Sequence, residues 1–276
     1  MTDASNAAMV EYWQTQGQVW VDAQARMDRM LAPLTDALID GAALSASDRV
    51  IDVGCGCGDT TLTIADRTAQ AWGVDVSAPM LARARERAGD QANIRFSEED
   101  AASADFTAEH DLIFSRFGVM FFADPAAAFA NLRRALVPTG RLCFLCWQKP
   151  RSNPWMSIVG AAIAHLLPEP ETPPDPRAPG PFAFADPDYL QDILQSAGYA
   201  NIDLSPVTQT LHVADTVDEA LVSLSEIGPL ARALKELEGE VRDEAIGIAR
   251  ATLGEHFTDD GVNLGAACWL VRATQS

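Results

Sequence analysis

The spacing of apolar residues changes along the chain and predicts where helices and strands lie. Residues 1–45 carry apolar side chains three and four positions apart, which is typical of helices, and Pro33 inside them predicts a kink or two helices. From residue 49 onward, short apolar runs alternate with helical stretches. We predict five strands that each lead into a helix or turn, at 49–53, 70–76, 93–96, 110–114 and 141–147. Such alternation predicts a parallel sheet.

The pattern changes after residue 147. A proline-rich stretch at 168–181 cannot form helix or central strand, and residues 216–256 are helical with a break near Gly228. Strands are predicted at 202–213 and 261–273. We expect six segments: an N-terminal helical lid (1–45), a core (46–149), a cap insertion (150–185), a core helix and strand (186–213), a second cap insertion (214–258) and a last core strand (259–276).

The stretch from Val50 to Asp59 predicts a ligand site. A buried-strand pattern containing one acid, Asp52, is followed by three glycines that alternate with cysteines, and Thr60 begins a helical pattern. Glycines let the backbone turn sharply and approach a ligand, and a helix start presents free N–H groups. Open α/β sheets form nucleotide sites in this way, although a plain strand–turn–helix corner has the same pattern.

The spacing of the glycines favours a nucleoside without phosphate. Gly54, Gly56 and Gly58 place the third glycine one residue earlier than the dinucleotide fingerprint does, and Asp59 occupies the helix start where a pyrophosphate would bind. An acid there repels phosphate and attracts cations. Asp75 ends the second strand, where a carboxylate accepts hydrogen bonds from ribose hydroxyls. S-adenosylmethionine fits these constraints because it carries a ribose, a sulfonium and an ammonium.

The glycine stretch resembles motif I of the class I S-adenosylmethionine-dependent methyltransferases, an acid followed by x-Gly-x-Gly-x-Gly. The resemblance is good over residues 45–212 and looser elsewhere, and it is to the small-molecule branch that includes the ubiquinone and menaquinone C-methyltransferases. It implies an α/β, doubly wound, Rossmann-like sheet of seven strands, the last antiparallel, with helical cap insertions. The chain departs from the family before strand five, where Thr139–Gly140 replaces the usual Gly-Gly.

The resemblance also implies roles for individual residues. An acid after strand three accepts the adenine amino group, and Asp100 matches that position, with Glu98 and Glu99 as rivals. Met80 would pack beside the adenine, and Trp20 belongs to a segment that either covers the ligand as a lid or anchors the helix to the domain. The cofactor-binding residues expected in this way are Asp52, Gly54, Gly56, Gly58, Asp75, Val76, Met80, Asp100, Ala101, Ser115 and Trp20.

Composition excludes several classes of partner. The formal net charge is -19 and no long Lys/Arg-rich block occurs, so nucleic acid and anionic membranes are not expected partners. No basic leader and no apolar run long enough for a membrane span occur, and the five cysteines suit a reducing cytoplasm. Cys55 and Cys57 without a further ligand pair predict no metal site. A homodimer stays open.

Methyl transfer leaves a weak signal for catalytic residues because it needs alignment and exclusion of water more than an acid or base. His165 and His212 are candidate bases, although a solvated or structurally bonded histidine is the more common case. Arg116, at the end of strand four, either anchors a substrate carboxylate or phenolate or pairs with an acid of the chain. Trp147 and Trp155 suggest an apolar or aromatic acceptor, or they fill a cap core.

The sequence therefore predicts an S-adenosylmethionine-dependent methyltransferase that acts on a small, apolar or aromatic molecule by in-line transfer. The alternative is a non-catalytic protein of the same fold that binds S-adenosylmethionine or regulates another process. All three glycines and the three acids Asp52, Asp75 and Asp100 are present together, which favours a retained cofactor site.

Overall fold

The computed structural model describes residues 3–168 and 175–275, with side chains from residue 6 onward. In that part of the chain the α-helices are α1 (Asp3–Gly41), α2 (Asp59–Ala65), α3 (Ala78–Ala88), α4 (Pro125–Arg134), α5 (Pro154–Ile163), α6 (Pro187–Ser196), α7 (Val217–Glu226), α8 (Pro229–Lys235) and α9 (Gly239–Gly254). The strands are β1 (Arg49–Val53), β2 (Gln70–Asp75), β3 (Ile94–Glu98), β4 (His110–Arg116), β5 (Leu136–Trp147), β6 (Ala200–Ala214), β7 (Phe257–Thr258) and β8 (Gly261–Thr274). Over these residues no helix has both the length and the apolar character needed to cross a membrane.

The strands form one mixed sheet in the order β3-β2-β1-β4-β5-β8-β6. The pairs β1–β2, β1–β4, β2–β3 and β4–β5 are parallel, and β8 runs antiparallel to β5. This confirms the predicted α/β, doubly wound, Rossmann-like architecture with an antiparallel last strand. The predicted count of seven needs one correction, because the two-residue β7 adds an eighth strand by pairing with β8.

The chain divides into two compact units. The first contains residues 1–147, 177–207 and 268–276, and thus α1 and the parallel strands. The second contains residues 148–176 and 208–267, and its helices α5, α7, α8 and α9 pack on one another. The predicted break near Gly228 separates α7 from α8, and Gly228 caps α8 with a φ of 91°.

Helix α1 runs without interruption through Pro33, so the prediction of two helices is wrong. A proline removes one backbone hydrogen bond from a helix and costs about 3 kcal/mol. Burial of the apolar side of α1 offsets that cost, since Leu34 and Leu38 are fully buried and Met30 and Leu31 nearly so. Tertiary packing of the apolar side therefore overrides the local propensity to break.

Strand β5 begins earlier than the sequence pattern predicts. The pattern predicts a strand from residue 141, yet residues 137–140 already lie inside β5, and the register against β4 jumps from His110–Leu136 to Leu112–Arg141. The extra residues therefore form a bulge. A Cβ atom on Gly140 would lie 2.8 Å from the Leu136 Cβ, so only glycine fits the close approach that the bulge requires.

An aromatic cluster fills the core of the first unit beside β5. Phe129 of α4 is fully buried, and its ring centroid lies 5.5 Å from that of Phe144 and 6.0 Å from that of Phe184. Its edge contacts with Phe122 and Tyr199 complete the cluster. Burial raises the pKa of the Tyr199 phenol, so that hydroxyl stays protonated.

We expect Phe129→Ala to lower the free energy of unfolding by about 3–5 kcal/mol, because it removes a fully buried ring from a close-packed cluster. Urea denaturation followed by near-ultraviolet circular dichroism measures the change. Phe257→Leu is the control, since Phe257 is 49% exposed and its substitution should change stability by less than about 0.5 kcal/mol. Equal midpoints for the two variants would contradict this account of the core.

Candidate cofactor site at the carboxyl edge of the sheet

The glycine turn after β1 is built from left-handed backbone. Gly54, Gly56 and Gly58 have φ values of 68°, 53° and 82°. Residues other than glycine adopt these angles at a cost, which explains why the turn contains three glycines. The turn is tied to the end of β2, because the N–H groups of Gly54 and Cys55 both donate to the Val74 carbonyl oxygen, at 2.8 and 3.2 Å.

The end of β4 supports the turn by direct backbone contact. A Cβ atom on Gly54 would lie 2.6 Å from the Cα of Gly118, and a Cβ on Gly118 would lie 2.5 Å from the Val53 carbonyl oxygen. The Ser115 hydroxyl donates to that same oxygen at 2.7 Å and accepts the Gly118 N–H at 3.1 Å. The sequence predicts that Ser115 contacts the cofactor. In the structure its side chain is fully buried and fastens the turn to β4, and the contact with a cofactor stays a prediction.

Asp75 closes the other side of the turn. Its Oδ2 accepts the Gly56 N–H and its Oδ1 accepts the Ser77 N–H, both at 2.8 Å. Each carboxylate oxygen has a second lone pair, so the group retains capacity for two further donors. Burial raises the pKa of Asp75, while the backbone donors Ser77 and Gly56 act in the opposite direction.

Asp52 lies beneath the turn and is almost completely buried. The hydroxyls of Thr60 and Thr61 both donate to its Oδ2, at 2.7 and 2.6 Å. Its Oδ1 is buried and has no hydrogen-bond partner among the described residues. Burial raises the pKa of Asp52 to about 6, and the two threonine hydroxyls limit that rise. A buried carboxylate oxygen without a donor is costly and predicts a cationic or hydrogen-bonding ligand.

The third predicted acid, Asp100, follows β3 and contacts α1. Its Oδ1 accepts the Ala102 N–H at 3.0 Å, and its Oδ2 accepts the side-chain amide of Asn6. The rival Glu98 is exposed and accepts the Gln14 amide at 3.0 Å. Asp100 thus bonds both its own loop and α1, and its contact with adenine stays a prediction.

The N-terminal part of α1 covers the ends of β2 and β3. The Gln14 amide donates to the Val76 carbonyl oxygen at 2.6 Å, and a Cβ on Gly17 would lie 2.3 Å from the Ser77 hydroxyl oxygen. The predictions missed Asn6 and Gln14. The available signal was Gly17, because a glycine inside a helix indicates close approach of another element.

Aromatic residues continue this contact toward β4. The Trp13 ring packs edge-on against Phe121, with ring centroids 4.8 Å apart, and its centroid lies 6.0 Å from that of Trp20. Trp20 is half-buried, and its predicted contact with a cofactor stays a prediction. The first turns of α1 therefore lie at the carboxyl edge of the parallel strands.

Arg116 belongs to a balanced cluster of two arginines and two acids. Its Nη1 donates to Asp59 Oδ2 at 2.7 Å and to the Thr35 hydroxyl oxygen at 2.6 Å. Arg87 bridges the same Asp59, at 3.4 Å, to Asp28 of α1, at 2.9 Å. Burial, followed by the nearby Asp59 charge, raises the pKa of Asp28. This ion pair is one of the two roles that the sequence left open for Arg116, and substrate anchoring stays a prediction.

The remaining predicted residues divide between the two units. Met80 and Ala101 are buried in the first unit, and a Cβ on Gly56 would lie 3.7 Å from the Met80 sulfur. His165 and His212 lie in the second unit. His165 is exposed, and the His212 Nε2 lies 3.0 Å from an Asp215 carboxylate oxygen. Their role as bases stays a prediction.

The cysteines of the turn are protonated at neutral pH. Burial raises the pKa of Cys57 to about 11 and raises that of Cys55 well above its usual value. Across the described part of the chain, no group of three or more His, Cys, Asp or Glu side chains could hold a metal ion.

The three acids follow the order of the strands. Asp100 comes after β3, Asp75 ends β2 and Asp52 lies in β1, and these three strands are neighbours in the sheet. The carboxyl edge therefore presents a row of acceptors beside a glycine turn, which suits an elongated cationic nucleoside.

Comparisons with known proteins agree with this geometry. Residues 50–140 match a family model described as a methyltransferase domain. A demethylmenaquinone methyltransferase of Deinococcus radiodurans is 36% identical over 124 residues, which are 44% of this chain and 52% of that protein. The match thus spans about half the length of that relative.

Solved structures show the same fold at low identity. The YcgJ protein of Bacillus subtilis superposes with a TM-score of 0.57 at 19% identity, covering 87% of this chain and 97% of that one. A phosphoethanolamine N-methyltransferase of Haemonchus contortus, solved with S-adenosyl-L-methionine, gives a TM-score of 0.53 at 18% identity, covering 88% and 52%. Residues 50–140 therefore match a methyltransferase domain model, and the chain has the Rossmann-like fold of these solved structures.

Proposed function

We propose that the protein is an S-adenosylmethionine-dependent methyltransferase that acts on a small, apolar or aromatic molecule by in-line transfer. The observation that carries the proposal is the buried Asp75 carboxylate, which two backbone N–H groups hold beside a left-handed glycine turn. Such a carboxylate binds the two hydroxyls of a ribose. The demethylmenaquinone methyltransferase relative supports a small-molecule acceptor. Cytoplasmic residence and homodimer formation stay predictions.

The residues present fit S-adenosylmethionine. The unpartnered Asp52 Oδ1 offers a buried negative charge to a cation, and the buried Ser77 hydroxyl has no partner among the described residues either. Apart from atoms of Gly56 and its two chain neighbours, a Cβ placed on Gly56 would have only the Met80 sulfur within 4 Å among the described atoms, so the turn leaves room beside it. The Asp52 carboxylate would repel a phosphate, because like charges repel at short range, whereas the Asp59 charge is paired with Arg116 and Arg87 and gives no such discrimination.

When bound, S-adenosylmethionine supplies an electrophilic methyl group and a neutral leaving group. The chain's own residues then have three tasks. Asp75, Asp100 and Asp52 orient the ligand along the edge of the sheet, and the fixed glycine turn limits its movement. The N-terminal part of α1, fastened through Asn6 and Gln14, excludes water from the β2 and β3 end. A base is needed only if the acceptor atom loses a proton, and His165 and His212 are the proposed candidates.

The alternative of a non-catalytic protein is separated from an enzyme by two measurements. Calorimetry with S-adenosylmethionine tests the site, and no binding at millimolar ligand would overturn the methyltransferase and leave a regulatory protein without the cofactor. Formation of S-adenosylhomocysteine in the presence of a reduced naphthoquinone distinguishes an enzyme from a binding protein. The quinone is chosen because of the demethylmenaquinone methyltransferase relative.

We expect Asp75→Ala to weaken S-adenosylmethionine binding by about 1.5–3 kcal/mol, or about 10- to 150-fold, because charge-assisted hydrogen bonds are lost. Isothermal titration calorimetry measures the affinity. Asp66→Ala is the matched control, since Asp66 is an exposed acid at the end of α2. Unchanged affinity in Asp75→Ala would count against the ribose role.

We expect S-adenosylmethionine affinity to depend on pH through Asp52. Its pKa of about 6 leaves it about one-tenth ionised at pH 5, so affinity for a cation should be about tenfold weaker there than at pH 7. Because folding raises this pKa from 3.8, the free energy of unfolding falls as the pH rises from about 4 through about 6. Asp52→Asn should flatten both profiles, and an unaltered slope in that variant would exclude Asp52 as the cause.

Arg116→Ala separates the two roles that remain for this residue. Loss of the guanidinium leaves Asp59 and Asp28 without one neutralising partner, so the free energy of unfolding should fall by about 1–3 kcal/mol. If the role is the ion pair alone, Asp59→Asn in the same chain restores part of that stability. If Arg116 also anchors the acceptor, the KM for the acceptor rises in Arg116→Ala and Asp59→Asn does not restore it. Chemical denaturation and steady-state kinetics measure the two effects.

A further inference from the structure

A single aromatic residue at the end of β4 has a backbone conformation that its side chain does not favour. Phe117 has a φ of 66°, in the left-handed region that glycine adopts freely and bulky residues rarely adopt. Its neighbours fix it there, because the Phe117 N–H donates to the Leu145 carbonyl oxygen at 3.2 Å and Gly118 packs on Gly54. Such conformations concentrate at functional sites.

The conformation places the ring flat against β5. The Phe117 and Trp147 rings are parallel within 6°, with centroids 3.9 Å apart. Trp147 is only 4% exposed, whereas Phe117 is half-buried. The phenylalanines inside the same two strands, Phe114 and Phe144, are fully buried. Phe117 is therefore a rigidly supported ring that still has accessible surface.

The order of the strands indicates what this surface faces. The acids expected to bind adenine and ribose lie at β3 and β2, and the glycine turn follows β1. The next strand in the same direction is β4, and β5 follows it. A nucleoside that runs from β3 to β1 along this edge directs its reactive end toward β4, where Phe117 follows Arg116.

Arg116 and Phe117 are adjacent in the chain but have different partners. The Arg116 guanidinium is paired with Asp59 and Thr35, so its charge is already neutralised. Phe117 is half-buried and so keeps some accessible apolar surface at the same strand end. A planar aromatic molecule can stack in parallel on such a ring, as the Phe117 and Trp147 rings stack on each other.

We propose that Phe117, supported by Trp147, is the stacking wall for the methyl acceptor and selects acceptors with a planar aromatic ring. This inference rests on the proposed function and deepens it, because it names the specificity-determining residue and the shape of the substrate. Arg116 and the two histidines have no part in this selection.

The test measures binding rather than turnover. Protein saturated with S-adenosylhomocysteine is titrated with 1,4-dihydroxynaphthalene and with the saturated decahydronaphthalene-1,4-diol, by calorimetry. We expect the planar diol to bind about tenfold more tightly to the unmodified protein. Phe117→Leu, which keeps an apolar side chain without a π face, should abolish that selectivity, and Phe117→Tyr should keep it. S-adenosylmethionine affinity should stay within about twofold in both variants.

Controls separate folding from recognition. Phe257→Leu makes the same chemical change at an exposed position of β7 and should keep full selectivity. If Phe117→Leu does not fold, Phe117→Gly replaces it, because glycine suits the backbone angle and likewise lacks a ring. Loss of selectivity in either variant supports the inference.

Two outcomes overturn the inference while the proposed function survives. One is equal affinity for the planar and saturated diols in a protein that binds S-adenosylmethionine. The other is a Phe117→Leu variant that keeps the selectivity for the planar diol but binds S-adenosylmethionine more weakly, while its affinity for S-adenosylhomocysteine is unchanged. That result would mean that the ring contacts the sulfonium cation instead of the acceptor. Absence of S-adenosylmethionine binding to the unmodified protein overturns the proposed function instead.

Discussion

The close contact between the backbones of Gly54 and Gly118 is the constraint on which the rest of the site depends. No side chain fits between them, since a Cβ on Gly54 would lie 2.6 Å from the Gly118 Cα. The contact fixes the glycine turn of β1 against the end of β4, and the Ser115 hydroxyl, bonded to both sides, locks it. The turn then presents the Gly56 N–H to Asp75, so the position of Asp75, which we propose binds the ribose, depends on packing at β4, two strands away in the sheet.

Charge is distributed differently on the two sides of this turn. Beneath and beside it, Asp52 and Asp75 are buried with no arginine of the described residues bonded to either, and burial raises the pKa of both. At the start of α2, by contrast, Asp59 shares Arg87 and Arg116 with Asp28 of α1. The paired charges join α1 to the start of α2, whereas buried acids that have no bonded cation are typical of functional sites. In this strongly acidic chain, Arg87 and Arg116 thus both pair with acids that join α2 to α1.

Local chemistry made part of this structure predictable. The glycine turn, the strand ends and Asp75 follow from residues close together in sequence, because glycine spacing and strand length are local properties. The continuity of α1 through Pro33 does not, since it depends on burial of Leu34 and Leu38 by distant elements. The bonds from Asn6 to Asp100 and from Gln14 to Val76 join residues 94 and 62 positions apart, and no local pattern encodes such a pairing. Arg116 shows the same limit, because its partner Asp59 became identifiable only in three dimensions.

Three residues other than glycine have left-handed backbone in the described part of the chain, and Phe117 differs from the other two. Among the described residues, the non-glycine positions with positive φ are Ala43, Phe117 and Asn201. Ala43 precedes β1 and Asn201 lies at the start of β6, where asparagine tolerates this region and its amide bonds the Thr274 hydroxyl at 3.0 Å. Phe117 has neither a small side chain nor a polar one to compensate. Its conformation is retained by the Gly54–Gly118 contact on one side and the Trp147 ring on the other, so the packing that fixes the glycine turn also fixes the ring beside it.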